Sequence, residues 1–322
     1  MIRERGAERI QTEDLAALRN MIALAAVIRA RTDRSVHRFG GHGPAYADLF
    51  ELYPVNLAVD AKTVTVRTAS EFGMDDDLDH FQGQPDPAYI YPQHVTPDLD
   101  EVLLRSLMAL WQSQPAGKDE QRFRRRIFRS LETAYHAVAA PFLNLGSEYD
   151  HALSLSLWVS AFEILVARAG NVSASDVERL IARVRWSTPA LHTDVVESPR
   201  GPRPGRPVSR PVQVYERLYK VRNESLHGGT ISAHLVGNRL EKGEEDPLEP
   251  APLAAHEWNH LAVAVPVLYR AVLLELLTQK GFHTHPVDPG VDDLDAYGNY
   301  IEAQLDSGQY EKPLLYRSRL RR

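Results

Sequence analysis

Apolar residues in the chain after Leu99 recur three and four positions apart in six separate segments, the spacing of amphipathic helices. Pairs of small polar and acidic residues open some of these segments, and glycines end others, as helix caps do. We therefore predict a mainly α domain over residues 99–282. The predicted helices cover residues 99–112, 120–140, 148–168, 173–186, 212–226 and 253–279.

The residues before this domain have a different pattern. An amphipathic helix is predicted from Glu13 to Arg31, and the segment from Val55 to Val66 alternates as a pair of strands would. A further short strand is predicted in AYIYPQHV, residues 88–95. We expect a small N-terminal α+β region over residues 1–98 that could regulate the helical domain. Residues 283–322 are predicted to form a C-terminal tail with one short helix, at 292–305.

A proline-rich stretch interrupts the helical pattern. Thr188 to Pro211 contains six prolines and two glycines, a composition that excludes regular helix and central strand, so we predict a loop over residues 188–211. Two groups of arginines could attract RNA. Those between Arg122 and Arg129 are more typical of a solvated helix face. The four in the loop are the candidate RNA-binding residues, namely Arg200, Arg203, Arg206 and Arg210.

Composition limits the possible functions. The chain has no cysteine, which excludes disulfides and thiolate zinc sites and is compatible with a cytoplasmic protein. Its charged start (MIRERGAERIQTEDL) does not resemble a signal peptide, and the apolar stretch from Leu261 to Leu277 contains Arg270 and Glu275, so no membrane partner is expected. The net charge of −6 argues mildly against a high-affinity RNA binder, but not against an enzyme that docks RNA in a local basic groove.

One helix carries a chemically useful set of residues, in VQVYERLYKVRNESLHGG. Residues four apart share a helix face, so Asn223 and His227 point the same way, together with Tyr215 and Tyr219. Arg222 can bend towards them, and two glycines after His227 leave it exposed. Histidine can transfer a proton near neutral pH, and arginine matches a phosphate. By spacing alone, however, such a pair is commonplace. The core side of this helix is predicted to consist of Val214, Leu218 and Val221.

Two segments give this set a more specific interpretation. LYKVRNESLHGG resembles the motif helix of the HEPN superfamily, an arginine followed after four to six residues by a histidine. ALSLSLWVSAFEILVAR, residues 152–168, resembles the upstream helix of the Apea-like branch, with Trp158 and Glu163 at the expected spacing. The resemblance implies a bundle of four or five helices. It also implies a homodimer that cleaves RNA without metal or other cofactor, with Arg222, Asn223 and His227 as catalytic residues.

The resemblance leaves several points open. Glu163 could pair with Arg222 or lie on a solvated face, and Tyr219 is a supporting candidate. Such proteins often act as toxins or in antiviral defence, sometimes with a regulatory partner protein. Other members of the superfamily are inactive, so a non-catalytic module that binds RNA, a nucleotide or a partner protein is the alternative function.

A zinc hydrolase is a third hypothesis. The segment HEWNH matches H-E-x-x-H, in which two histidines on one helix face bind zinc and the glutamate acts as base: His256, Glu257 and His260. No third ligand is evident, because Glu275 would lie about 22 Å away along the helix. His283 and His285 could fold back, but nothing in the sequence compels it. We therefore expect the match to be accidental.

Overall fold

The computed structural model describes nine segments of the chain and two single residues near its end. They are residues 12–32, 55–57, 64–66, 99–139, 148–167, 172–193, 195–197, 206–229 and 260–285, with Glu311 and Leu314. The strand predicted at 88–95 and the helix predicted at 292–305 lie outside them. The described part is mostly helical, which confirms the mainly α class.

The order of elements follows the predicted helices closely. In the first half of the chain they are α1 (Thr12–Thr32), β1 (Val55–Leu57), β2 (Val64–Val66), α2 (Glu101–Gln112), α3 (Lys118–Ala139) and α4 (Glu148–Val166). In the second half they are α5 (Ala174–Ile181), α6 (Ala190–Thr193), β3 (Val195–Glu197), β4 (Pro207–Ser209), α7 (Arg210–Leu226) and α8 (His260–Gln279). The predicted strand pair is confirmed as an antiparallel hairpin in which Val55 lies opposite Val66.

Helix α4 lies at the centre of the bundle, where it packs against α3, α5, α7 and α8. It is apolar around most of its circumference, as expected for a helix with neighbours on several sides. Aromatic side chains connect it to two of them. Trp158 stacks edge-on with Tyr269 of α8 at 5.3 Å between ring centroids, and Phe162 does so with Tyr215 of α7 at 5.5 Å. The Phe162 contact places α7 directly against α4, and the Trp158 contact places α8 against it.

Helix α1 belongs to the same core. It packs against α2, α3 and α8, and its Met21 and Leu24 are fully buried among their apolar residues. The sequence pattern placed this helix in a separate N-terminal region, whereas the structure places it within the helical domain. The difference arises because periodicity shows which face of a helix is apolar, but not which helices cover that face.

A buried ion pair joins three helices. Asp100 caps the start of α2 by accepting a hydrogen bond from the Leu103 N–H at 3.1 Å, and its own N–H donates to the Ala25 carbonyl of α1 at 2.9 Å. The same carboxylate accepts from Arg270 in the middle of α8, through both Nε and Nη2. The side chains of Asp100 and Arg270 are 1% and 8% exposed. Asp100 therefore joins α1 through its backbone, and α2 and α8 through its carboxylate.

The prediction that residues 188–211 form only a loop is wrong for the described part of that stretch. It contains the short helix α6 and an antiparallel hairpin in which Glu197 lies opposite Pro207. Proline is tolerated in this strand because both strands of a two-stranded sheet are edges. Helix α7 also begins earlier than predicted, at Arg210. Pro211 fits its first turn, where a missing N–H breaks no helical hydrogen bond.

Two residues from the segment predicted as a tail contact the helical domain. The Glu311 carboxylate accepts hydrogen bonds from the backbone N–H groups of Ser187 and Thr188, at 2.8 and 2.7 Å. Leu314 is fully buried in the core. Glu311 thereby holds the chain between α5 and α6, upstream of the hairpin that leads into α7. None of the helices in the described residues is long and apolar enough to cross a membrane.

We predict that Arg270→Met destabilises the fold by roughly 3–5 kcal/mol, because it leaves the Asp100 carboxylate buried without its counter-ion. Arg105→Met is the matched control. Arg105 also pairs with a carboxylate, that of Glu101, but both side chains are 75% exposed, so its loss should cost less than about 0.5 kcal/mol. Urea unfolding of the two variants measures the difference, and similar losses would contradict the role assigned to the buried pair.

Candidate active site

Helix α7 has a buried first half and an exposed end. The three residues predicted to face the core, Val214, Leu218 and Val221, are all buried, as that interpretation of the helix requires. Exposure rises along the other predicted stripe. Tyr215 is fully buried, Tyr219 and Asn223 are half-buried, and His227 is exposed. The core therefore anchors α7 at its base and presents its last turn to solvent.

The end of α7 is a Schellman motif. His227 is the C-cap residue, and its N–H donates to the Asn223 carbonyl at 3.0 Å. Gly228 adopts the left-handed conformation with φ 72°, which turns the chain away from the helix. The Gly229 N–H then donates to the Glu224 carbonyl at 2.7 Å. These bonds satisfy the last carbonyls of α7 and leave the His227 side chain at the surface.

The structure decides between the two hypotheses for Glu163. Its Oε1 lies 3.3 Å from Arg222 Nη1, and the two side chains are only 22% and 25% exposed. The Arg222 guanidinium also lies over the Tyr219 ring, 5.5 Å from its centroid. Glu163 on α4 and Tyr219 on α7 therefore hold Arg222 from two directions, five residues before His227.

Burial affects the charge of this pair. Removal from water raises the pKa of Glu163 above its ordinary value, and the neighbouring positive charge of Arg222 opposes that rise only in part. Within the described residues, Glu163 is the one carboxylate that pairs with Arg222, through a single nitrogen. Arginine has five N–H donors, so this contact leaves a guanidinium that is oriented but still able to bind an anion.

Polar residues on α4 next to Glu163 have a local role. The hydroxyls of Ser156 and Ser160 donate back to carbonyls of their own helix, those of Ala152 and Ser156, at 2.7 and 3.1 Å. Of these three polar residues on α4, Glu163 is the one that reaches α7. Two large apolar side chains on the site's two helices are well exposed, Leu153 at 57% and Leu226 at 63%.

Of the four loop arginines predicted to bind RNA, two lie among the described residues. Arg206 pairs with Glu216 at 2.7 Å and with Glu178 at 3.1 Å, which ties the hairpin to α7 and α5. Arg210 is buried, with 8% of its surface exposed. Both residues therefore serve the fold. Arg200 and Arg203 lie outside the described residues.

Among the described residues, the structure adds no ligand to the zinc site considered for HEWNH. His256 and Glu257 lie outside the described residues, and His260 begins α8 with an undescribed side chain. His283 and His285 do fold back onto α8, but at its other end, where His285 Nε2 lies 3.5 Å from Glu275. That contact is about 22 Å along the helix from His260. No group of three potential metal ligands occurs among the described side chains.

Comparisons with protein-family models, with curated proteins and with solved structures find no match for this chain.

We predict that Gly228→Ala lowers the free energy of unfolding by about 1 kcal/mol, because a Cβ disfavours the left-handed conformation. An added Cβ would have no other atom within 4 Å, so backbone strain is the only cost. Gly228→Asn is the matched control, since asparagine tolerates this conformation better and should lose less than half as much. Urea unfolding measures the free energy of unfolding of both variants. Equal losses would show that steric exclusion, and not the left-handed conformation, disfavours a side chain at this position.

Proposed function

We propose that this chain is a metal-independent endoribonuclease of the HEPN type, with Arg222, Asn223 and His227 as its catalytic residues. One observation supports this most strongly. Glu163 and Tyr219 orient the Arg222 guanidinium on the helix whose exposed end carries His227. An oriented cation that binds phosphate, next to a group that transfers protons, is what cleavage of RNA by its own 2′-hydroxyl requires.

The proposed reaction is an internal transfer. The ribose 2′-oxygen attacks the adjacent phosphorus, the bond from phosphorus to the 5′-oxygen breaks, and the products are a 2′,3′-cyclic phosphate and a free 5′-hydroxyl. Arg222 stabilises the charge that grows on the phosphoryl oxygens. His227 transfers a proton at the 2′-hydroxyl or at the leaving 5′-oxygen. Asn223, one turn before His227, orients the imidazole or a phosphate oxygen.

A second copy of the chain completes this site in the proposal. The reaction needs one group to accept a proton and another to donate one, and a single copy presents one motif histidine. The exposed Leu153 and Leu226 lie on the two helices that form the site, and burial of such side chains favours association. We therefore propose a homodimer in which two α7 ends face each other. A role as a toxin or in defence against phage would follow from uncontrolled RNA cleavage.

The direct test is incubation of the purified protein with RNA in the presence of EDTA. Cleavage should persist, yield a 2′,3′-cyclic phosphate end and fall at least about a hundredfold in Arg222→Ala and in His227→Ala. Arg105→Ala, an exposed arginine on α2, is the control and should cleave at the wild-type rate. Intact RNA with folded, dimeric wild-type protein would support the non-catalytic binding module instead.

Glu163 is proposed as a positioning residue, and Glu163→Gln tests this role. The change keeps the shape of the side chain but removes the charge that orients Arg222, so kcat should fall about tenfold while KM stays within about twofold. Circular dichroism and urea unfolding serve as controls for the fold. Unchanged kcat in a variant of reduced stability would assign the pair to the fold alone.

A further inference from the structure

Helix α3 carries five arginines between Arg122 and Arg129, and the structure divides them into two groups. Two of them serve the fold. Arg124 Nη1 donates to the Ser113 carbonyl at the end of α2, at 2.7 Å, and Arg126 Nη1 donates to the Ala167 carbonyl just after α4, at 2.9 Å. Cations that bind the last carbonyls of a helix stabilise its end. These two arginines are therefore accounted for by packing.

The other three arginines form an exposed stripe with the lysine at the start of the helix. We call these four residues the α3 ridge. Its members recur at intervals of four, three and four residues and so share one helix face. That face is opposite the buried Phe123, Ile127 and Leu131. The ridge is about 16 Å long, from the rise of 1.5 Å per residue. It consists of Lys118, Arg122, Arg125 and Arg129, all exposed.

Little negative charge offsets the ridge. Arg122 lies 3.5 Å from Asp119, but these side chains are 78% and 95% exposed, so the pair is weak. No carboxylate among the described residues forms an ion pair with Arg125 or Arg129. Glu132 is also exposed and follows at the end of the ridge. A continuous cationic face therefore exists on a chain whose net charge is −6.

The ridge is unfavourable for the helix itself. Like charges three or four residues apart repel each other, at a cost of about 0.2–0.5 kcal/mol for each pair. The ridge contains three such pairs in succession. Among the described residues, no ion pair with Arg125 or Arg129 offsets this repulsion. An anionic ligand with regularly spaced charges would remove this repulsion.

Helix α3 and the candidate active site both contact the last turns of α4. The hydrogen bond from Arg126 fixes the middle of α3 against Ala167, the residue that follows α4. Glu163, which orients Arg222, lies one turn before Ala167 on the same helix. Helix α3 and the site thus share one end of α4, while the ridge itself faces away from the core. An RNA strand that contacts both surfaces must therefore extend around α3.

We propose that the α3 ridge binds the phosphate backbone of single-stranded RNA outside the cleavage site. This inference rests on the proposed ribonuclease function and adds a substrate-binding surface to it. The contacts are with phosphates, so they carry no base preference and position the strand rather than select it. The length of the ridge accommodates several successive phosphates, one for each exposed cation.

The test measures RNA binding by full-length protein in a His227→Ala background, which prevents turnover. The ridge variant carries Arg122→Gln, Arg125→Gln and Arg129→Gln. The control variant carries the same change of charge at exposed arginines elsewhere, Arg105→Gln, Arg179→Gln and Arg183→Gln. Fluorescence anisotropy with labelled oligouridine is recorded over a range of KCl concentrations. The ridge variant should bind more weakly, and its slope of log affinity against log salt should be shallower by about 2, since each phosphate contact on a single strand contributes about 0.7.

Three results would overturn the proposal. One is an unchanged salt slope in the ridge variant. Another is an equal change in the control variant, which would show an effect of net charge alone. The third is ridge-dependent binding to vesicles of anionic phospholipid without binding to oligouridine, which would assign the surface to a membrane.

A second measurement separates this proposal from the proposed cleavage. In the active protein, the ridge variant should lower kcat/KM about tenfold for a long RNA and leave it unchanged for a dinucleotide, which is too short to reach both surfaces. Equal losses of kcat/KM on both substrates would contradict the proposed binding of RNA by the α3 ridge. If the wild-type protein cleaves neither substrate, the cleavage proposal fails. The binding measurement still tests whether the α3 ridge binds RNA.

Discussion

The buried pair of Asp100 and Arg270 is the interaction on which the arrangement of the bundle depends. A carboxylate inside a protein is tolerated only when a counter-ion and hydrogen-bond donors surround it. Asp100 obtains them from the start of α2 and from α8, while its backbone is bonded to α1. Three helices are therefore joined at this one residue. The same charge environment extends to His283, where burial and the neighbouring cations lower the pKa to about 4.

The sequence predicted the helices better than their arrangement. Helical periodicity reports a local property, so α2, α3, α4 and α7 were predicted with ends accurate to a few residues. Position in the fold depends on contacts between distant residues. The sequence alone therefore did not show that α1 lies in the core or that Asp100 pairs with Arg270 across 170 residues. The prolines of residues 188–211 disrupt regular structure less than predicted. A two-stranded hairpin, in which both strands are edges, accepts proline, and so does the first turn of a helix.

The candidate site shows the same division between local and distant information. The exposed His227 followed from the two glycines after it, because a helix that ends in a Schellman motif exposes its cap. The contact between Glu163 and Arg222 joins residues 59 positions apart, and the sequence left its two interpretations equally open. A helix face can be derived from spacing, whereas the partner of that face cannot.

The two ends of α7 explain why one arginine suits phosphate binding and another does not. Arg206, near the start, neutralises Glu216, whose side chain is 1% exposed. A phosphate that took this guanidinium would withdraw it from a buried carboxylate, which is unfavourable because that charge is shielded from water. Arg222, near the other end, has a partner that is 22% exposed and whose pKa is already raised. Because solvent reaches Glu163, binding of a phosphate to Arg222 leaves no fully buried charge there. The sequence suggested Arg206 as an RNA-binding residue and Arg222 as a catalytic one, and the burial of their carboxylate partners separates them.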